Sequence, residues 1–211
     1  MLKITDAVEE VLFDDEEALV ACSKGYMNLS GYAALIRREV ESKTKKEVKV
    51  PTIVVALSRL QGRTKKMPPM IVGVKINSIN TKAPITELVY GKNERLVKKV
   101  ASLAGAVDAT PDDFLNMTIS TNEVAIICSE RILPKVRAYL GVRPRMEAGG
   151  LAMIGLTVDP TYYTRPNITY SLIRRIARKR IVLAETISTY GEIIFVFKHK
   201  NLAEMLKLFS A

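Results

Sequence analysis

The chain has 211 residues, 48% of them hydrophobic, and a formal net charge of +10. This length suits one large domain or two to three small ones, and the charge favours an anionic partner. No apolar run reaches the roughly 18–20 residues that span a bilayer, and the N-terminus lacks the apolar core of a signal peptide, which argues against membrane and exported proteins.

The cysteines and the distribution of charge further restrict the classes of protein to which the chain could belong. Cys22 and Cys128 have no CxxC spacing, so we expect neither a disulfide framework nor a zinc site, and a reducing cytoplasm fits. The first 20 residues hold one basic and seven acidic residues, whereas residues 31–66 hold ten basic and three acidic ones. This concentration predicts a surface for an anionic partner, and the alternative is a solvated helical face followed by a basic linker.

Three helices are predicted in the first third of the chain. Apolar residues at helical spacing indicate a helix over 4–24, bent or broken near 13–15. A second helix is expected over 30–45, capped by Asn28 or Ser30. Its inner stripe is predicted to consist of Tyr32, Leu35, Ile36 and Val40. Pro51 suits the first turn of a third helix over 51–61, which Gly62 would end.

Two helices joined by a short turn and surrounded by positive charge are typical of a helix-turn-helix, whose second helix enters the major groove of double-stranded DNA. Side chains able to reach base edges or phosphates lie on these helices and after them. The predicted DNA-binding residues are Arg37, Arg38, Lys49, Thr52, Ser58, Arg59, Arg63, Lys65 and Lys66. The alternative is a small helical dimerisation or docking domain.

Residues 71–90 are predicted to form two β segments around a polar turn at 77–84. A β-hairpin after a recognition helix is the arrangement of a winged helix, and this segment resembles winged-helix DNA-binding domains in element order and charge. We therefore predict a helix-turn-helix-like domain over 1–66 and a wing or linker over 67–84. Residues 85–92 fit either the wing or the first strand of the next domain.

The last third of the chain reads β-α-β-β-α. Strands are predicted over 149–158, 181–191 and 192–200, and helices over 166–180 and 201–210, with Asn201 as a cap. One more strand would complete a ferredoxin-like βαββαβ unit.

The stretch GLAMIGLTV…IVLAETISTYGEIIFVFKHKNLAEMLKLF resembles the ACT regulatory domains of aspartate kinases over about 60 residues. The resemblance implies a small-molecule sensor, usually for amino acids, whose ligand lies between paired units, against the turn after the first strand and against the second strand. Carried over by position, the implied ligand-binding residues are Asp159, Arg165, Asn167, Ile168, Ala184, Glu185, Thr186 and Ser188. The turn DPTYYTRPN is longer and bulkier than the family's. Tyr162, Tyr163 and Arg165 could fill the pocket or bind a carboxylate, and Arg165 could also be a surface loop residue.

The letters TIST occur at 118–121 and again at 186–189, 68 positions apart. Each copy precedes a Glu and an apolar strand, and the elements around both copies agree in type and order. A repeat of this length indicates tandem domains rather than a solenoid. We predict a first ACT-like unit over 85–145 and a second over 146–211. The fold class is therefore α+β: a winged-helix-like helical domain followed by two ferredoxin-like βαββαβ ACT units.

No catalytic group is expected. Neither G-x-x-x-x-G-K-[ST] nor G-x-G-x-x-G occurs, His199 has no nucleophile nearby in sequence, and no metal-ligand cluster or cofactor motif is present. The first hypothesis is an amino-acid-responsive transcription regulator that binds double-stranded DNA, works as a homodimer and is not an enzyme. The second is a regulatory subunit without DNA binding that docks on an amino-acid biosynthetic enzyme. Exposed sheet edges favour a homodimer, although a tandem pair could also satisfy them within one chain.

Overall fold

The computed structural model describes residues 2–67 and 71–210. The chain divides into two units, Met1–Val72 and Gly73–Ala211. The first unit contains four helices among its described residues: α1 (Ile4–Asp14), α2 (Glu16–Lys24), α3 (Leu29–Thr44) and α4 (Val50–Thr64).

The break predicted near 13–15 is confirmed, since residues 4–24 form two helices. Asp15 has an extended backbone and its side chain accepts a hydrogen bond from the N–H of Ala18, which caps α2. Asn28 caps α3 in the same way by accepting from the N–H of Gly31. Local side-chain chemistry therefore fixes where both helices begin.

The core of the first unit comes from one face of each helix. On α3 this face consists of Ala33, Ile36, Val40 and Thr44, whereas Leu35 is 75% exposed. The prediction that Leu35 faces inward is therefore wrong. Leu35 and Ile36 are adjacent and point about 100° apart on a helix, so the face that buries Ile36 and Val40 leaves Leu35 outside.

The prediction that Gly62 ends α4 is also wrong. The helix continues to Thr64, whose hydroxyl is buried and donates to the carbonyl of Gln61. Gly25 is the glycine that ends a helix in this unit. It has a left-handed backbone with φ of +80°, and its N–H donates to the carbonyl of Cys22.

These two glycines give a matched pair of substitutions. We expect Gly25→Ala to destabilise the first unit by about 1 kcal/mol, because a Cβ is strained at this φ. We expect Gly62→Ala to stabilise it by about 0.5–1 kcal/mol, because Gly62 is helical and no atom lies within 4 Å of the added Cβ. Urea midpoints of both variants measure the difference, and shifts of equal sign would contradict the assignment.

The second unit is built on a six-stranded antiparallel sheet in the order β2-β3-β1-β4-β6-β5. The strands are β1 (Ile76–Gly91), β2 (Leu115–Ile119), β3 (Glu123–Ser129), β4 (Met146–Val158), β5 (Leu183–Ser188) and β6 (Glu192–Lys198). The α-helices are α5 (Glu94–Ala101), α6 (Leu103–Ala106), α7 (Leu133–Leu140), α8 (Ile168–Ala177) and α9 (Leu202–Phe209). Short 3-10 helices occupy Pro160–Thr164 and His199–Asn201.

The expected hairpin over 71–90 is not formed. Residues 77–84 lie inside the continuous strand β1, which pairs with β4 over most of its length and with β3 over its second half. A register shift between Lys82 and Ile85 accommodates Pro84, a residue that strands tolerate at irregularities. Pairing with β4 therefore outweighs the local turn signal, and the described residues contain no wing.

The sheet consists of two halves with the same order of elements, β-α-β-β-α. The first half runs from β1 to α7 and the second from β4 to α9. Each half obtains the fourth strand of its βαββαβ unit from the long first strand of the other half, which confirms the ferredoxin-like part of the predicted fold class. The first part of β4, from Met146 to Leu151, pairs with β1 on the side opposite β3, and the first part of β1, from Ile76 to Lys82, pairs with β4 on the side opposite β6.

The two TIST stretches lie on equivalent strands but not at equivalent positions. In the first hairpin Ile119 lies opposite Val124, and in the second Ser188 lies opposite Ile193. The structural offset between the halves is therefore 69 residues rather than 68. A slip of one residue reverses which face a side chain occupies. Ile119 accordingly is 44% exposed, whereas Ile187 packs against the apolar cluster on the helix-free face of the sheet.

Candidate functional site

A cavity of about 320 Å³ lies in the second half, between the connection from β4 to α8 and the hairpin of β5 and β6. Four tyrosines line it, namely Tyr162, Tyr163, Tyr170 and Tyr190. We call this space the tyrosine cavity. Arg165, Asn167 and Thr169 contribute to one wall and Ser188 and Thr189 to the other.

The connection after β4 is shaped by its own side chains. Asp159 accepts a hydrogen bond from the N–H of Thr161 and so caps the 3-10 helix. Hydrogen bonds from the N–H and the side chain of Thr161, followed by the charges of Lys75 and Arg165, lower the pKa of Asp159. The hydroxyl of Tyr162 accepts from the N–H of Lys75 at 3.2 Å, which holds the ring in place.

Arg165 is the positive group of the tyrosine cavity. Its guanidinium carbon lies 5.5 Å from the centre of the Tyr162 ring, a cation–π arrangement. Arg165 is exposed and forms no ion pair with any described residue. A guanidinium that is held in place and has no salt-bridge partner can bind a carboxylate in two-point fashion.

The connection after β4 and the hairpin of β5 and β6 meet at a pair of exposed tyrosine rings. Tyr163 from the 3-10 helix and Tyr190 from the hairpin turn lie 5.4 Å apart between ring centres, at an interplanar angle of 45°. The hairpin turn itself is fixed by the N–H of Thr189, which donates to the carbonyl of Glu192 at 2.9 Å.

The structure brings together half of the eight ligand-binding residues that the sequence implies. Arg165, Asn167, Ile168 and Ser188 line the cavity. The others are placed differently: Asp159 caps a helix, and Ala184, Glu185 and Thr186 lie farther along β5, outside the lining. Sequence reasoning missed Tyr170, Thr189 and Tyr190, although Thr189 and Tyr190 directly follow the second TIST serine and could have been included as the turn of that hairpin.

Glu185 belongs to a different cluster, on the helix-free face of the sheet. Glu185 lies opposite Val196 on the adjacent strand, and Glu87 lies opposite Ile127. Val196 and Ile127 both belong to the apolar cluster of that face. Glu87 is 4% exposed, and burial, followed by the charge of Glu185 and a hydrogen bond with it, raises the pKa of Glu87 to about 7. Three strand spacings would separate these carboxyls by ~14 Å in a flat sheet, so the sheet curls around this face.

The first half lacks the long connection that builds the tyrosine cavity. Two residues, Lys92 and Asn93, join β1 to α5, where nine residues join β4 to α8. The ammonium of Lys92 donates to the carbonyl of Ser120 at 2.8 Å and so bridges this connection to the adjacent hairpin. The two halves therefore differ at the position of the candidate site.

The structure distributes the residues predicted to bind DNA into two groups. Arg63 forms a two-point ion pair with Glu9, with N–O distances of 2.9 and 3.0 Å, and Arg37 pairs with Glu41 at 3.0 Å. Seven others are exposed on α3, α4 and the segments flanking α4, namely Arg38, Lys49, Thr52, Ser58, Arg59, Lys65 and Lys66. Thr52 and Arg59 also line an apolar groove with Ile4 and Val55.

The excess positive charge does not reside mainly in the first unit. Met1–Val72 contains 12 basic and 10 acidic residues, a net of +2, and Gly73–Ala211 contains 20 basic and 12 acidic residues, a net of +8. The basic segment 31–66 folds against the acidic helix α1, where Glu9 pairs with Arg63 and Glu10 with Lys43. Counting charges along a segment of the sequence could not reveal this neutralisation.

Within residues 2–67 and 71–210, no three His, Cys, Asp or Glu side chains are grouped so that they could hold a metal ion. In the same part of the chain, none of the helices combines the length and the apolar character needed to cross a bilayer.

Solved structures with a similar fold include an aspartate kinase and regulatory subunits of aspartate kinase. The chain is similar to the aspartate kinase of Clostridium acetobutylicum, described as an allosteric enzyme, with a TM-score of 0.52 and 10% identity over 66% of this chain. The match covers 35% of that kinase, so this chain spans about a third of its length. The regulatory subunits of aspartate kinase from Thermus flavus and Thermus thermophilus match with TM-scores of 0.52 and 0.50 at 8% and 7% identity.

Each Thermus match covers 64% of this chain and 96% of the regulatory subunit. No protein-family model matches the sequence, and no curated protein matches it at the level of sequence. At these identities the similarity defines the fold alone, a mixed α and β, ACT-like fold.

Proposed function

We propose that this protein is an amino-acid-responsive regulatory protein whose effector binds in the tyrosine cavity. The observation that carries the proposal is the position of Arg165, whose guanidinium lines a cavity of about 320 Å³ and forms no salt bridge with a described residue. The cavity lies at the turn after the first strand and at the end of the second strand of an ACT-like half. Regulatory subunits with this fold support a sensing role, as does a cavity volume within the usual range for small-molecule sites.

The protein acts in this proposal by binding and not by catalysis. An effector stabilises one arrangement of the chain over another only if it binds the two with different affinity. The connection after β4 and the hairpin of β5 and β6 come from separate elements, so a ligand that contacts both would fix their spacing. A partner that binds this face of the protein would respond to the change in that spacing.

The test is isothermal titration calorimetry with each of the twenty amino acids, on the wild type and on Arg165→Ala. We expect at least one amino acid to bind and Arg165→Ala to weaken its binding about 10- to 100-fold, because a charge-assisted hydrogen bond contributes about 1.5–3 kcal/mol. Arg143→Ala is the matched control, since Arg143 is exposed and lies outside the cavity lining. If no amino acid binds, the proposal fails, and if both variants bind equally well, the site is misplaced.

DNA binding by the first unit is a second candidate function. It is favoured by exposed cations on α3, on α4 and beside α4, of which Arg38, Lys49, Arg59, Lys65 and Lys66 form no ion pair with the described residues. The net charge of +2 for this unit opposes it, and a regulatory subunit that docks on a biosynthetic enzyme is the competing proposal. In both the DNA-binding and the docking proposal, the protein works as a homodimer.

The salt dependence of binding to random duplex DNA tests this candidate. If the unit binds DNA, replacing Lys65 and Lys66 together with Ala should reduce the slope of log K against log salt by about 2, because two phosphate contacts are lost. Arg59→Ala should instead weaken sequence preference. Arg63→Ala is unsuitable, since it would also leave Glu9 without its partner. Absence of binding at low salt would favour the docking proposal.

A further inference from the structure

The tyrosine cavity is unusually rich in aromatic rings for this chain. Four of the eight tyrosines line it, and its remaining apolar surface comes from Val158, Ile168 and Ile193. The lining includes no carboxylate among the described residues. The lining therefore offers aromatic faces and one positive charge, and the nearby carboxylate of Asp159 lies outside it.

Two of these rings are placed where a ligand could reach them. Tyr163 is 73% exposed and Tyr190 is 67% exposed, yet the rings contact each other from two different elements. Aromatic rings interact favourably in tilted and offset arrangements with centroids about 4.5–7 Å apart. A third ring inserted at this position would find the faces or edges of both tyrosines within that range.

The positive charge of the cavity lies against a different ring, that of Tyr162. The guanidinium of Arg165 stands over the ring of Tyr162, and the N–H of Lys75 holds the hydroxyl of that tyrosine. The positive group thus comes from the connection after β4, whereas Ser188, Thr189 and Tyr190 come from the hairpin of β5 and β6. A ligand that satisfies both walls carries a planar ring at one end and an anionic group at the other.

We infer that the effector is an aromatic carboxylate, with its ring against Tyr163 and Tyr190 and its carboxylate at Arg165, bound once per chain. This inference rests on the proposed function and specifies the class of its ligand. One site per chain follows from the short connection at Lys92 and Asn93, which gives the first half no counterpart of the 3-10 helix. Aromatic amino acids and aromatic acids without an ammonium group share this chemistry.

The absence of tryptophan from the sequence allows a direct measurement. L-tryptophan can be excited where tyrosine does not absorb, so its fluorescence anisotropy reports binding to the full-length protein without a background from the chain. We expect saturable binding with a stoichiometry of one per chain. Unlabelled L-phenylalanine and L-tyrosine should displace the probe, and L-leucine and L-lysine should require at least about 10-fold higher concentrations.

Indole-3-propionate distinguishes the two kinds of ligand that share this chemistry, aromatic amino acids and aromatic acids without an ammonium group. It has the ring and the carboxylate of tryptophan but lacks the ammonium group. Displacement at concentrations similar to those of L-tryptophan would assign the site to aromatic acids in general. Displacement that needs far more would assign it to amino acids. Both results support the inferred class.

The double substitution Tyr163→Leu with Tyr190→Leu tests the position of the ring. We expect L-tryptophan to bind about 10-fold more weakly and its preference over L-leucine to be lost. Tyr26→Leu is the control, because Tyr26 is also 67% exposed but lies in the first unit. Circular dichroism of each variant establishes that it is folded.

The outcomes separate the inference from the proposed function. If L-leucine or L-lysine binds and the aromatic compounds do not, the inference is overturned while the sensing function stands. If none of the twenty amino acids binds, the proposed function fails as well. Unchanged L-tryptophan binding by the double variant, or a stoichiometry of two per chain, would also overturn the inference.

Discussion

Phe195→Ala is expected to lower the free energy of unfolding of the second unit by about 3–5 kcal/mol. Phe195 is fully buried on β6 and stacks on Phe209 of α9, with ring centres 6.2 Å apart and an interplanar angle of 10°. Removing the ring loses its burial and leaves a cavity between the sheet and the helix. Since single domains are stable by only about 5–15 kcal/mol, this loss is a large fraction of the total.

Denaturant unfolding followed by far-UV circular dichroism measures this loss. Phe13→Ala is the comparison, because Phe13 is 38% exposed at the end of α1 and should cost about 1 kcal/mol. Phe195→Leu keeps most of the volume and should fall between wild type and Phe195→Ala. A loss below about 1 kcal/mol for Phe195→Ala would mean that α9 does not pack on this strand in solution.

Glu87→Gln is expected to make the second unit more stable above pH 7 and to leave its stability nearly unchanged near pH 4. The pKa of Glu87 is raised from 4.5 to about 7 in the folded protein. Between these values the folded state binds more protons than the unfolded state, so stability falls as pH rises. The full shift corresponds to about 3 kcal/mol, because one pKa unit is equivalent to about 1.4 kcal/mol.

Unfolding free energies of wild type and Glu87→Gln at several pH values between 4 and 8 test this expectation. Glu123→Gln is the control, since Glu123 is exposed on the neighbouring strand β3. Asp113 does not interfere, because its hydrogen bond from Arg131 lowers its pKa and its contribution is lost only in acid, below this range. A difference between Glu87→Gln and wild type that stays constant with pH would show that Glu87 is ionised without cost.

Local signals in the sequence determined much of the secondary structure. The caps at Asp15 and Asn28 and the proline at the start of α4 act over three or four residues, and the structure uses all three as helix starts. The β-α-β-β-α pattern of both halves was also evident, because the alternation of strand and helix periods is a property of the chain itself.

Tertiary structure decided the features that depend on pairing. Residues 77–84 carry turn-forming letters but lie in a strand, since β4 pairs with β1 along this stretch. The one-residue slip between the TIST copies arises from the register of the two hairpins and could not be obtained by matching letters. The charge of segment 31–66 is offset by α1, which is distant in sequence and close in space.

The candidate site shows the same division. The turn DPTYYTRPN stood out because it is long and aromatic, and Arg165 was identified from it. Tyr190 and Thr189 were missed because their relevance comes from a hairpin that meets this turn only in the folded sheet. Glu185 lay in the expected strand, but alternation along β5 directs it to the opposite face, toward Glu87. By itself the sequence determined the elements and the chemistry of one turn, whereas the sheet register determined which side chains meet across it.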